Sequence, residues 1–216
     1  MLPYELIPNA VACQQLGGGG VTPAMRFVSI DLETTGADPW VHEVLEFAAI
    51  VYDTQHPVAR ADAPQFRVLM QPTFAQASPT ALRMNAALVQ ELRAPTFDTV
   101  VLSPDELVER LTDFLLRHGF RWHERGRIRV QAAGKNFDKF DRIFLERLPG
   151  FRQKISFHRV ALDPGLLYWN PAKDKQWIPN MVACKKRAGF ADTTVAHRAL
   201  DDAWDVIRLI QVYVDQ

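Results

Sequence analysis

Apolar and polar positions along the chain fall into blocks of two periods. Dense, β-branched apolar runs at 26–32, 44–53 and 65–71 predict three early strands, each too short and too apolar for a surface helix. Helical spacing follows at 78–92 and at 103–118, the second opened by Ser103-Pro104-Asp105-Glu106, a helix-start signal. A further strand is predicted at 128–133 and a short helix at 141–148. A brief strand at 160–162 then leads into a short helix at 164–169, and helices at 179–187 and 199–214 close the chain. Strands first, then helices alternating with strands, predict an α/β fold with a central mixed β-sheet flanked by helices. Residues 1–24 end in the run Gly17–Gly20 and are expected to be a flexible leader, which leaves 25–216 as one domain.

Composition narrows the class. Apolar residues make up 48% of the 216 and charged residues 23%, as in a soluble globular protein. Lysine plus arginine (25) balances aspartate plus glutamate (25), so no global basic field holds a polyanion by charge alone. Two cysteines, Cys13 and Cys184, exclude a disulfide framework and a four-thiolate zinc site. The N-terminus lacks a basic, then apolar, signal-peptide pattern, and no run approaches the ~18 apolar residues of a membrane span. The expectation is a cytoplasmic protein with no membrane partner.

Three places carry candidate chemistry. In the first strand Asp31 and Glu33 lie two residues apart, so alternation puts both on one face. Two adjacent carboxylates repel, and a hard divalent cation is the usual reason to build such a pair; a frayed strand end in solvent is the plainer alternative. Around 134–145, Asp141 precedes Phe144, Leu145 and Leu148 at helical spacing and so heads the inward stripe, where it is a ligand or a first-turn acid. Asp138 is its rival, without the same apolar pair behind it. In the last helix Ala199, Ala203, Val206, Ile210 and Tyr213 form the inward stripe, and Asp202 falls on it. An inward carboxylate costs several kcal/mol unless paired or metal-bound. Asp201 and Asp205 fall on the neighbouring face and are expected to be solvated. His197 stands five residues before Asp202 and gains interest only from that company.

In this order, Ile30-Asp31-Leu32-Glu33-Thr34-Thr35-Gly36, Leu45-Glu46-Phe47-Ala48-Ala49, Asn136 with Asp141, and His197 with Asp202 resemble the DEDDh exonucleases of the ribonuclease-H-like superfamily. That family includes proofreading exonucleases, ribonuclease T and oligoribonuclease. The resemblance runs from Arg26 to the C-terminus. One extra residue between Asn136 and Asp141, shared with oligoribonuclease-type sequences, and Lys135 in place of His or Gly depart from the commonest pattern. Thr34 follows the proofreading type.

The resemblance implies a ribonuclease-H-like fold and a metal-dependent 3′→5′ exonuclease acting on single-stranded DNA or RNA with a free 3′ end. It assigns Asp31, Glu33, Asp141 and Asp202 to two Mg²⁺ or Mn²⁺ ions roughly 3.5–4 Å apart, and the same residues with His197 to catalysis. A histidine side chain, with an ordinary pKa near ~6.5, suits a general base at neutral pH. Thr34, Thr35, Gly36 and Asn136 are assigned to substrate binding. The rival readings are a non-catalytic nucleic-acid-binding module on the same fold and a proofreading subunit working with a polymerase. The chain ends just after its last predicted helix, which favours a stand-alone enzyme. Trp169, Lys173, Lys175 and Trp177 interleave aromatic and basic groups, as single-strand binders do, or else cover the core edge. Lys185-Lys186-Arg187 closes a helix and is a second candidate for phosphate contact.

Overall fold

In the computed structural model, which describes residues 25–216, two long antiparallel strands form the spine. They are β1 (Arg26–Thr34) and β2 (Val44–Asp53), in register from Arg26 opposite Asp53 onward. β3 (Gln65–Met70) adds antiparallel to β2, and β4 (Val101–Leu102) adds parallel to β3. On the other side β6 (Ala132–Ala133) lies parallel to β1, giving the order β4-β3-β2-β1-β6. β5 (Ile128–Val130) pairs in parallel with β7 (Ile155–Phe157). Only Gln131 separates β5 from β6, and its carbonyl accepts the Val28 N–H at 2.9 Å. β5 and β7 thus form a two-stranded sheet joined to the five-stranded one through Gln131.

The long apolar runs of β1 and β2 are explained by helices on both faces. Val28, Ile30 and Leu32 pack toward α3 (Pro104–Arg117), α4 (Asp141–Glu146) and α5 (Phe151–Lys154). The opposite face, with Phe27, Ile50 and Tyr52, carries α8 (Ala199–Val214) through Ala203, Val206, Ile207 and Ile210. Ser29, fully buried on that face, donates to the Ala203 carbonyl at 2.8 Å and ties strand to helix. The start signal at α3 is realised as a capping box between Ser103 and Glu106, with Pro104 in the first turn.

Several expectations are corrected. The helix at 78–92 is two helices, α1 (Pro79–Met84) and α2 (Ala86–Arg93), broken at Asn85, which turns inward to donate to the Thr34 carbonyl at 3.2 Å. β4, α5 and β7 are not foreseen, being two, four and three residues long, too short to show a period. The strand at 160–162 is a single bridge from Leu162 to Ala133. α6 (Pro164–Leu167) stops short of 169, and α7 (Met181–Arg187) starts after its cap, Asn180. Tyr213, expected on the inward stripe, is 45% exposed and meets the Tyr168 ring edge-on, while its neighbour Val214 packs against the core.

Asp205 is not solvated either: it pairs with Lys185, which is 3% exposed. Arg187 is likewise held, by Asp174, so of the basic triplet only Lys186 faces outward. The leader expected at 1–24 lies outside the described residues. Among them no helix is long and apolar enough to cross a membrane.

The crossover after β6 depends on a missing side chain. A Cβ on Gly134 would come within 2.8 Å of the Ile30 carbonyl oxygen and 3.1 Å of Phe137 Cβ. Gly134→Ala is expected to lower unfolding free energy by about 1–3 kcal/mol, the usual cost of overpacking. Chemical denaturation measures it, and an unchanged midpoint would contradict this packing.

Candidate active site

Where β1 runs out, between α4 and the start of α8, lies a cavity of about 430 Å³. Asp31, Glu33, Asp141, His197 and Asp202 all line it. Asp31 and Glu33 arrive together from the face of β1 that also carries Ser29, and a bulge after Glu33 releases the chain into the Thr34–Gly36 turn. Asp141 opens α4, whose Phe144 and Leu145 are anchored in the core, so its carboxylate is carried inward and accepts the Leu32 N–H at 3.0 Å. Asp138 turns elsewhere, accepting the Ala161 N–H at 2.9 Å and pairing with Arg142 at 3.2 Å. Asp202, on the inward face of α8, accepts the Ala196 N–H at 3.3 Å. Glu33, His197 and Asp202 each present a ligand atom within 4.8 Å of the others. Asp31 and Asp141 share the cavity with that trio.

Burial makes this cluster unfavourable without a cation. Asp31 is pushed well above the usual carboxylate range, first by burial, then by the charges of Asp141, Asp202 and Glu33. Burial lifts Glu33 to about 7, against a bond from Asn85 that lowers it. Asp141 rises to about 8 by burial, despite two backbone N–H groups that favour its charged form. Asp202 is also raised by burial, partly offset by the Ala196 N–H. Four oxygen-donor carboxylates around one space are the donor set of hard divalent cations. Lys135, the lysine lining the cavity, already donates to Asn136 Oδ1 at 2.6 Å and lies 3.6 Å from Asp163.

His197 adopts φ 51°, a left-handed backbone that costs a non-glycine residue about 1 kcal/mol or more. The strain is held from both sides. Lys185 bonds the Thr194 carbonyl before it. After it, fully buried Glu46 accepts the Ala199 N–H at 2.8 Å, and Arg198 donates to Glu91 at 3.0 Å. Arg67 joins these acids, reaching Glu46 at 2.5 Å and Glu91 at 3.0 and 3.1 Å. Glu46 stands directly opposite Glu33 across β1 and β2, a like-charge pairing that the two arginines offset. The sequence singles out Glu46 only within a quoted motif. Its role depends on Arg67, Glu91 and Arg198, which no local spacing connects.

A second depression of about 280 Å³ adjoins the first, sharing Leu32, Glu33, Met84 and Phe140 with it. Thr34 and Gly36 line it. Gly36 is packed under His42, whose ring would meet an added Cβ at 2.4 Å. Thr35 lines neither space: its hydroxyl accepts the Glu43 N–H at 2.9 Å and it is 1% exposed. Asn136 lines the main cavity from a left-handed position at φ 59°. Met84, Phe140, Met181 and Val195 complete the walls and carry no signal in the sequence beyond being apolar.

No family model matches the chain. An oligoribonuclease of Photobacterium profundum is 25% identical over 191 residues, covering 87% of this chain and 93% of that one. The oligoribonuclease of Dichelobacter nodosus is 29% identical over 191 residues, covering 87% and 92%. Among solved structures, the nuclease domain of 3′hExo, a DEDDh family member bound to rAMP, superposes with a TM-score of 0.58 at 15% identity, covering 86% of this chain and 90% of that one. The chain shares the fold of that nuclease domain. Cell-death related nuclease 4 matches with a TM-score of 0.58 at 15% identity, and an E. coli exonuclease I–ssDNA complex with 0.58 at 16%. These cover 86% and 87% of this chain, which spans 62% and 40% of theirs. The ribonuclease-H-like fold and the resemblance read from the motifs both hold.

Two predictions follow from this geometry. The raised carboxylates bind protons in the folded state that the unfolded chain has lost, so cation-free stability falls as pH rises. It falls from the ordinary carboxylate pKa near ~4 through about 7 and 8, where Glu33 and Asp141 ionise. Thermal melts in chelator at pH 5 and pH 8 should show the lower midpoint at pH 8, with Mg²⁺ restoring it and Asp141→Asn flattening the difference. Equal midpoints would contradict the cluster. Separately, Glu46→Ala leaves Arg67 short of a partner and the start of α8 untied, and should cost about 3–5 kcal/mol. Denaturant titration reads the loss, and a change under ~1 kcal/mol would deny Glu46 that role.

Proposed function

We propose that the chain is a divalent-metal-dependent 3′→5′ exonuclease that removes nucleotides from the 3′ end of single-stranded DNA or RNA. The carrying observation is the meeting of Asp31, Glu33, Asp141, Asp202 and His197 at one cavity. The naming of the sequence relatives as oligoribonucleases supports a single-stranded substrate, as do the rAMP and ssDNA of the two structures.

Asp31, Glu33, Asp141 and Asp202 would hold two Mg²⁺ or Mn²⁺ ions. Bound there, such ions supply positive charge to the scissile phosphate and acidify a water molecule. The residues' own part is geometric and protic. Asp141 and Asp202, held by the backbone N–H groups of Leu32 and Ala196, join Asp31 and Glu33 on β1 to give the ions a preset frame. His197, beside Glu33 and Asp202, is placed to take a proton from the attacking water onto a ring nitrogen. Thr34 and Gly36 form one wall for the terminal nucleotide and Asn136 the other, while Thr35 braces the turn from behind.

End-labelled single strands incubated with Mg²⁺ or Mn²⁺ test the reading. A ladder of products shortened from the 3′ end is expected, abolished by chelator and by Asp31→Asn or Asp141→Asn. His197→Ala should retain substrate affinity and lose rate by on the order of 10²–10⁴-fold. Asp138→Asn should leave the rate nearly unchanged. Activity of the Asp31 or Asp141 variants within a few-fold of wild type would sink the proposal.

A further inference from the structure

Outside the cavity, two exposed tryptophans lie on the segment between α6 and α7. Trp177 is 81% exposed, Trp169 50% and Ile178 43%. Ordering large apolar groups in water stabilises nothing by itself, and clustered exposure of this kind marks a contact surface. Trp169 is held in place by its indole N–H, which donates to the Asp174 carbonyl at 3.3 Å. Beside it a depression of about 600 Å³ is lined by Trp169, Asn170, Lys173, Lys186 and Arg187.

The charge of this surface is positive. Its carboxylate, Asp174, is consumed internally: Arg187 reaches it at 2.5 and 2.7 Å, and the Asn170 N–H at 2.8 Å. Lys173, Lys175 and Lys186 make no ion pair among the described residues. At Ile178 the same segment comes beside the cavity wall. Ile178 lies against Gly165, where an added Cβ would be 2.6 Å from Ile178 Cγ2 and 2.9 Å from Lys135 Nζ. Lys135 and Met181 are themselves part of the cavity wall.

Resting on the exonuclease reading of the cavity, we infer that Trp177, Trp169, Lys173 and Lys186 form a track for the 5′ part of a single-stranded substrate. Exposed rings offer a stacking face to any base and the lysines meet the phosphates, a combination suited to single strands without sequence preference. A position beside the cavity wall and unpaired cations favour a nucleic-acid strand over a protein partner or a second copy of the chain. A substrate of two nucleotides would be consumed without touching the track.

The test compares 5′-labelled dinucleotide with a strand of about twelve nucleotides on full-length wild type, Trp177→Ala and the Lys173→Ala/Lys186→Ala pair. For the long strand, Trp177→Ala should raise KM roughly ten-fold, while dinucleotide turnover stays within about two-fold. The lysine pair should reduce the salt dependence of the long-strand KM by about two phosphate contacts. Tryptophan fluorescence, titrated with the long strand in chelator, gives an independent reading. Quenching is expected in wild type, with affinity about ten-fold weaker in Trp177→Ala. Equal losses on both lengths, unchanged long-strand affinity, or light scattering showing that Trp177→Ala dissociates an oligomer would overturn the track. A protein inert on both lengths that still shows the Trp177-dependent quench would retain the track and lose the exonuclease reading.

Discussion

The constraint on which this structure turns is the repulsion among carboxylates buried at the end of β1. Asp31, Glu33, Asp141 and Asp202 come from a strand and two helices; burial raises all four, and charge from within the set adds to the rise of Asp31, Glu33 and Asp141. A fold assembled for stability alone would not converge them. Here three of them are carried inward by packing behind them: Phe144 and Leu145 below Asp141, Ala203 and Val206 below Asp202, Val28 and Ile30 through the sheet behind Asp31. Hydrophobic burial across two clusters sustains a site that is unfavourable without a cation.

The acids are positioned by backbone groups and the histidine by a charge network. Leu32 and Ala196 N–H groups orient two carboxylates at fixed points of the chain. His197 is different, because it sits in a strained loop whose far side is tied through Glu46, Arg67, Glu91 and Arg198 to β2, β3 and α2. Strain of this kind persists where surrounding contacts over-determine it. The sheet, its register and the helix start are thus coupled to the placement of one imidazole.

Much of this was legible in the sequence, for identifiable reasons. β1 and β2 were readable because their apolar runs are long, and α3 and α8 because they span four turns with a cap or a stripe. Asp141 was distinguishable from Asp138 by the apolar pair behind it, and that distinction matches their positions in the fold. What escaped was either short or non-local. β4, β7 and α5 have too few residues to show a period. Asn85, predicted inside one helix, breaks it because its side chain is drawn to the Thr34 carbonyl 51 positions away. Asp205 lies on a helix face that reads as solvated, but α7 supplies Lys185 to pair with it. Thr35, grouped with its neighbours by motif, is turned inward by its bond to Glu43.

The central claim is that these carboxylates are built to exchange protons for a divalent cation. Calorimetric titration of the chelator-stripped protein with Mn²⁺ tests it directly, run in two buffers of different ionisation enthalpy so that proton release can be separated from binding heat. Near pH 6.5 Glu33 and Asp141, raised to about 7 and about 8, are largely protonated, so binding should release protons. The release should shrink as pH rises beyond 8 and fall in Asp141→Asn. Binding heats independent of the buffer, or no saturable binding, would contradict the account.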